Sequence, residues 1–109
     1  MRGLPLALLA MLGCTTTTVA RLSPAQYESR SSDSPVQLYS SQLPACAFDE
    51  IAILKARKES WLVSTNAVVN ALRKRARHLG GDALVRVGFG DHGDITGTVI
   101  RFARDTCKQ

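Results

Sequence analysis

The sequence predicts an α+β fold: a small two-layer sandwich with one main helix, at about residues 65–79, packed on a four-stranded, mainly antiparallel sheet. Three observations lead to this prediction. The chain has 109 residues, which limits it to one domain. One stretch places apolar residues at helical spacing, and two strand-length runs of apolar and β-branched residues lie on each side of it. This order of elements is typical of a helix that covers one face of a sheet.

The first two predicted strands precede the helix. Residues 36–39 alternate between apolar and polar side chains and predict a short strand that suits a sheet edge. The sequence Gln42-Leu43-Pro44 then breaks the pattern. Residues 48–56 are apolar on both faces, as expected for a central strand with a helix over one face. Residues 56–60 are more polar and predict a turn or an irregular extension.

The predicted helix begins at Ser64 or Thr65, because either side chain can cap its N-terminus, and Gly80 ends it. Its apolar residues share one stripe along the helix, as in an amphipathic helix that packs on a core. The members of this stripe are Val68, Leu72, Ala76 and Leu79, with Val69 at the edge.

The opposite face of the helix carries Asn66 and Asn70 together with three cations, Arg73, Lys74 and Arg77. Two interpretations of the cations remain open. They can form an ordinary solvated face, in which late basic residues complement the helix dipole. They can also contact an anionic surface such as lipid phosphates or lipopolysaccharide.

The last two strands form a predicted hairpin. Residues 83–89 follow the turn Gly80-Gly81-Asp82, residues 88–94 form a Gly-rich loop, and residues 95–103 form the final strand. Gly97 predicts either a bulge or close backbone packing. In the first strand of the hairpin, alternation predicts one shared face for Val85, Val87 and Phe89.

The first 14 residues resemble a bacterial lipoprotein signal. Arg2 provides a positive start, residues 4–12 provide a short apolar run, and the run ends in Met11-Leu12-Gly13-Cys14, which resembles a lipobox. The apolar run is too short to span a bilayer, which needs roughly 20 residues. Residues 1–13 are therefore predicted to be removed, leaving Cys14 as an acylated N-terminus. An ordinary signal peptide that is cleaved elsewhere, with Cys14 incidental, is the alternative.

A flexible tether is predicted for residues 14–35. Nine of the 20 residues in 15–34 are Ser or Thr, and no period of 2 or 3.6 is sustained. Such a tether would let the folded domain, residues 36–109, stand clear of the lipid headgroups. The alternative is that this segment docks on the domain or on a partner through Leu22, Pro24 and Tyr27.

Three cysteines are present, and a lipid on Cys14 leaves Cys46 and Cys107 as a pair. In an exported, oxidising compartment this pair predicts a disulfide bond. The bond needs the start of the second strand and the end of the last strand to be neighbours. Two free thiols, or one intermolecular bond, are the alternatives.

Four short motifs within about residues 36–107 form a recognisable pattern. They are Pro44-x-Cys46 leading to Glu50-Ile51, Leu72 to Ala76, Leu79 to Val85, and Gly97 to Arg101. Together they resemble a superfamily of small domains that includes the stress-sensor lipoprotein RcsF and the ring-forming YbjQ-type proteins. The strongest part of the resemblance is the end of the helix, where the family usually has Leu-Gly-Ala-Asp-Ala.

The resemblance implies a non-enzymatic lipoprotein of the outer membrane that faces the periplasm. RcsF-like proteins are disulfide-bonded and report envelope damage by binding outer-membrane partners. We therefore expect an outer-membrane or periplasmic protein partner, in stress sensing or structural support, and no cofactor. Thr15 after the lipidated cysteine also favours the outer membrane, by resemblance to lipoprotein sorting. The alternative is a self-assembling ring, or a module that binds a small ligand or metal, of the YbjQ type.

Other functional classes have weak support in the sequence. The formal charge of +5, which falls to +4 when Arg2 is removed, is too small to indicate nucleic-acid binding. No nucleophile motif of the Gly-x-Ser-x-Gly kind and no phosphate-binding loop occur. Asp91, His92 and Asp94 are the weak candidates for metal binding, and Asp and Gly residues there are explained more simply as turn residues.

Overall fold

The computed structural model describes residues 15–58, 62–90 and 93–103. The predicted α+β class is confirmed, with one helix on one sheet. The sheet has five strands where the sequence predicts four, and it is mixed. The elements are β1 (Thr15–Arg21), β2 (Gln37–Leu38), β3 (Phe48–Lys58), α1 (Thr65–His78), β4 (Ala83–Phe89) and β5 (Ile95–Phe102).

The strand order in the sheet is β1-β3-β5-β4-β2, so the two long strands β3 and β5 lie inside it. All neighbours are antiparallel except the short edge strand β2, which runs parallel to β4. The strand predicted for residues 36–39 is confirmed, although it comprises only Gln37 and Leu38. β3 continues to Lys58, so the predicted turn at 56–60 is wrong for its first three residues.

The extra strand is β1, which lies where the sequence predicts a flexible tether. β1 pairs with β3 from Thr15 opposite Lys58 to Arg21 opposite Ala52. The tether prediction is therefore wrong for residues 15–21. The physical reason is that Thr and Val are β-branched and favour strands, so a run of four threonines is a strand signal as well as a low-complexity one.

The crossing segment, residues 22–36, carries the chain from β1 at one sheet edge to β2 at the other. It begins with backbone hydrogen bonds from Leu22 and Ser23 to the carbonyl of Ile51, at 2.9 and 3.3 Å. Tyr27 packs against the core, which agrees with the docking alternative, while Leu22 remains 45% exposed. The crossing segment is thus held on the domain.

Local capping explains the bounds of α1. The Ser64 side chain accepts a hydrogen bond from the backbone N–H of Ala67 at 3.1 Å, and Gly80 adopts a positive φ of 86° just beyond the last residue. The predicted helix is confirmed. Its stripe of Val68, Leu72 and Ala76 is buried against the sheet.

A bulge in β4 interrupts the alternation of its side chains between the two faces of the sheet. Arg86 has a φ of 54°, and the register against β5 shifts between Val85 and Gly88. Val85 therefore packs with Ala83, Ile100 and Phe102, while Val87 joins the core beneath the helix. The prediction that Val85, Val87 and Phe89 share one face is wrong, because the bulge changes the direction of the side chains.

The sheet has two ends of different character. At the hairpin end, β1 begins at Thr15, β3 ends at Lys58 and β4 turns into β5 near Gly90. At the Asp82 end, β4 begins at Ala83 and β5 ends at Phe102. Among the residues that the structure describes, no helix is long and apolar enough to cross a bilayer.

Candidate functional site

The predicted lipid-bearing residue, Cys14, lies outside the described residues, as does the signal segment 1–13. Thr15, the residue directly after Cys14, is the first residue of β1. A strand therefore follows the predicted attachment point with no spacer between them.

The predicted disulfide depends on Cys46, because Cys107 lies outside the described residues. Cys46 is half-buried and, like Phe48, packs against the small core cluster that contains Ile100 and Phe102, and it is not free in the structure. The bond requires the start of β3 and the end of β5 to lie side by side, and in the sheet they do. Phe48 pairs with Phe102, and the backbone N–H of Ala103 donates to the carbonyl of Ala47 at 3.1 Å.

A basic cleft lies between the crossing segment and the C-terminal half of α1. Its volume is about 430 Å³. A second, more open hollow of about 450 Å³ shares Lys74 and His78 with it and reaches Thr17 of β1. The residues that line the basic cleft are Ser29, Arg30, Ser32, Asn70, Lys74, Arg77 and His78.

The three basic residues predicted on the helix have different roles. Arg77 donates from Nε to the carbonyl of Ser34 at 2.6 Å, and Arg73 donates from Nε to the carbonyl of Val36 at 3.1 Å. Both are half-buried, so the interpretation of a freely solvated face does not hold for them. Lys74 is exposed and lines both the basic cleft and the neighbouring hollow.

The crossing segment also caps the C-terminus of α1, and this fixes the wall of the cleft. The last carbonyls of a helix lack partners within the helix. Here the carbonyl of Arg77 accepts from the backbone N–H of Arg30 at 2.8 Å, and that of His78 accepts from the Ser29 hydroxyl at 2.6 Å. Residues 29 and 30 are therefore held by hydrogen bonds to the last carbonyls of the helix.

Arg30 is positioned further by Asp82. Its Nη2 lies 3.0 Å from Oδ1 of Asp82, whose side chain is only 5% exposed, and Oδ2 of Asp82 accepts from the backbone N–H of Phe102 at 2.9 Å. The Nε of Arg30 is buried and has no acceptor among the described residues. Asp82 thus joins the cleft wall to the end of β5.

The cleft has an excess of positive charge. Asp82 compensates Arg30, while Lys74 and Arg77 have no ion pair within 4 Å in the described part of the chain. Asp33 lies near Arg77, and its pKa is lowered by the Ser31 hydroxyl, by its own backbone and, to a smaller extent, by the Arg77 guanidinium. Lys74, Arg77 and the amide of Asn70 can together bind a carboxylate or phosphate group.

Sequence reasoning placed Lys74 and Arg77 in a candidate site but missed Arg30, Ser29 and Ser32. The three missed residues belong to the stretch interpreted as a tether, and no local pattern connects them to the helix. One available signal was Tyr27, an aromatic residue within an otherwise polar stretch, which indicated that the segment could dock.

The weak metal candidates are not brought together by the described residues. Asp91 and His92 lie outside them. Asp94 lies 3.6 Å from Nζ of Lys55 and 3.8 Å from Nε of Arg57, so its carboxylate faces two cations. Among residues 15–58, 62–90 and 93–103 there is no group of three potential metal ligands.

Comparison with known proteins identifies a fold but no family. No protein-family model and no curated protein matches the chain. Among solved structures, the chain is similar to the crystal structure of a Francisella virulence factor, FvfA, in the orthorhombic form. The TM-score is 0.53 and the identity 10%, and the match covers 83% of this chain and 99% of that chain. At this identity the likeness shows the fold alone.

Proposed function

We propose that this protein is a non-enzymatic lipoprotein of the bacterial outer membrane, facing the periplasm, with a domain related to the RcsF and YbjQ superfamily. Cys14 carries the lipid, and the domain binds an envelope protein partner in stress sensing or structural support. The observation that carries the proposal is the lipobox-like Met11-Leu12-Gly13-Cys14, which ends directly before a folded domain. A thioether-linked diacylglycerol on Cys14, together with an amide-linked acyl chain such as palmitate, would anchor the domain stably.

The proposed Cys46–Cys107 bond is supported by where the strands end. Cys107 follows Ala103 by four positions in the sequence, and the backbone of Ala103 is hydrogen-bonded to Ala47, the neighbour of Cys46. Cys14 is a poor alternative partner for Cys46. It precedes Thr15, which pairs with Lys58 at the opposite end of β3 from Phe48.

The basic cleft is the surface that we propose for the partner. Its walls are held by main-chain hydrogen bonds, and its cations Lys74 and Arg77 face a volume large enough for several side-chain groups. An acidic segment of an envelope protein matches this chemistry. Charge complementarity of this kind determines specificity and association rate more than affinity.

Intact mass of the membrane-extracted protein, with and without reductant, tests the anchor and the disulfide together. We expect the loss of residues 1–13, the added mass of the lipid, and a gain of two hydrogens on reduction. A full-length, unacylated chain in the cytosol with three reducible thiols contradicts the proposal.

In-cell crosslinking tests the partner surface. We expect Lys74→Glu to reduce the crosslinked species at least several-fold, since it reverses the charge of the cleft. Arg21→Glu, an equal charge change at an exposed position of β1, is the matched control and should leave crosslinking unchanged. Equal crosslinking in both variants excludes the basic cleft as the partner surface.

A self-assembling module of the YbjQ type is the second candidate. It is favoured by β1, a seven-residue strand at the edge of the sheet whose outer side pairs with no other described strand. Open strand edges can pair with another copy. Size-exclusion chromatography with light scattering on the Cys14→Ser protein tests this candidate, and a monomer at all concentrations excludes it.

A further inference from the structure

We propose that the hairpin end of the domain lies against the lipid bilayer, with Leu62 and Phe89 in contact with the membrane interface. This inference rests on the proposed lipoprotein function, because it needs an acylated Cys14. It reverses the expectation from the sequence, in which a tether holds the domain away from the headgroups.

The first argument is the distance between the lipid and the fold. Consecutive Cα atoms are about 3.8 Å apart, so a lipid on Cys14 brings Thr15 to the edge of the acyl region. Thr15 already pairs with Lys58 in the sheet. The headgroup layer of one leaflet is only roughly 5–8 Å thick. The hairpin end is therefore within reach of the headgroups as long as β1 stays paired.

A single attachment point leaves the tilt of the domain open, and two exposed apolar side chains restrict it. Leu62 is 73% exposed and Phe89 is 63% exposed, the highest values among the large hydrophobic residues that the structure describes. Leu62 lies two residues before the helix cap Ser64. Phe89 pairs with Ile95, which pairs with Ala56 near the end of β3. Both side chains therefore belong to the hairpin end.

Chain topology explains why these side chains gather at one end. The start of β1, the end of β3, the start of α1 and the turn between β4 and β5 all lie there. Seven residues of β1 at about 3.3 Å each place Arg21 roughly 20 Å farther from the lipid. The basic cleft, built on the C-terminal half of α1, then remains accessible to a partner.

The cations Lys55 and Arg57 of this end both have Asp94 as an ion-pair partner, so we assign the proposed contact to the two apolar side chains and not to anionic lipid. Asp94 lies beside both Lys55 and Arg57. We therefore expect the contact to persist in neutral phosphatidylcholine and at high salt, since screening acts on charges and not on apolar burial.

The test uses the full acylated protein in phosphatidylcholine vesicles whose acyl chains are brominated. The chain has one tryptophan, Trp61, which is the neighbour of Leu62 in the sequence and serves as the reporter. We expect quenching of its fluorescence by brominated lipid, unchanged in high salt. The Trp61→Phe, Ala45→Trp double variant moves the reporter to an exposed position just before Cys46, and we expect no quenching there.

A second variant tests the role of the apolar side chains. The Leu62→Ser, Phe89→Ser variant should lower the membrane-apposed population at least about tenfold, because each side chain contributes to burial out of water. Leu22→Ser, at an exposed leucine beyond the other end of β1, is the matched control and should leave quenching unchanged.

The outcomes separate this inference from the proposed function. Acylated protein that pellets with vesicles but shows no quenching of Trp61 overturns the inference and leaves the lipoprotein proposal standing. Equal quenching of the reporters at positions 61 and 45 also overturns it, since both ends would then contact lipid. Protein that lacks the lipid mass and does not pellet overturns both proposals.

Discussion

The hairpin end and the Asp82 end of the sheet are built from opposite kinds of contact. At the Asp82 end, a carboxylate is buried and joined to Arg30 and to the backbone of β5. At the hairpin end, Leu62 and Phe89 are exposed, and the ion pairs of Asp94 are 3.6 and 3.8 Å long and partly solvated. Buried polar groups that are satisfied hold a fold together, whereas exposed apolar groups are typical of binding surfaces. The comparison predicts that the buried contacts of the Asp82 end contribute most to stability, and it agrees with the proposed membrane contact at the hairpin end.

The largest expected effect concerns the proposed disulfide at the Asp82 end. In a Cys14→Ser background, replacing Cys46 and Cys107 by serine should lower the free energy of unfolding by about 4 kcal/mol, as the chain-entropy model gives for a loop of this length. Urea unfolding of the exported protein measures the change. The Cys14→Ser protein with its other cysteines intact is the control. An unfolding midpoint that does not respond to reductant would contradict the bond.

The buried ion pair comes next. Asp82→Ala should lower the free energy of unfolding by about 3 kcal/mol, because Arg30 is left with an uncompensated, largely buried charge. The matched control is Glu50→Ala, which removes the 2.8 Å pair with Arg86, where both side chains are over one-third exposed. That surface pair should contribute less than about 1 kcal/mol. Equal losses in the two variants would remove the distinction between the Asp82 end and the rest of the sheet.

The glycine before Asp82 should have a smaller effect. A Cβ at Gly81 would overlap the side chain of Val99, which is stiff at χ1, so Gly81→Ala should lower the free energy of unfolding by about 2 kcal/mol. A Cβ at Gly88 would lie 3.7 Å from its nearest neighbour, the Thr96 hydroxyl oxygen, and Gly88→Ala should stabilise by about 0.5 kcal/mol. A thermal melt of each variant shows whether it is less or more stable than the parent protein. Stabilisation by Gly81→Ala would mean that Val99 can move away and leave room for the added methyl group.

The smallest effect on stability belongs to the hairpin end. Leu62→Ser and Phe89→Ser should each change the free energy of unfolding by less than about 0.5 kcal/mol, because these side chains bury little area. Leu72→Ala, at the buried centre of the helix stripe, should cost about 3 kcal/mol by comparison. Chemical denaturation in the absence of lipid measures all three. A large loss at Phe89 would mean that it belongs to the core and not to a binding surface.

Local signals made the helix predictable. The cap at Ser64, the stop at Gly80 and the stripe of Val68, Leu72 and Ala76 all lie within one short window of sequence. The β4–β5 hairpin was predictable for the same reason. The faces of β4 were not, because the positive φ at Arg86 reverses the alternation and an arginine gives no sequence signal for that conformation.

Long-range contacts explain what the sequence could not show about the cleft. Arg30 meets Asp82 across 52 positions of the chain, and Ser29 meets His78 across 49. The residues 29–32 are polar and aperiodic, so they look like linker when considered alone. Lys74 and Arg77 were found because a helix face can be read from spacing, whereas the opposite wall of the cleft exists only after the crossing segment has docked.

The pairing of β1 with β3 has a mechanical consequence. Hydrogen bonds in an antiparallel pair run perpendicular to the strands. A force applied between Thr15 and a molecule held at the far end of α1 would act along β1 and load its seven paired residues together in shear. The ladder would then resist tension as a unit, and pulling on the N-terminus would not peel the strand away pair by pair.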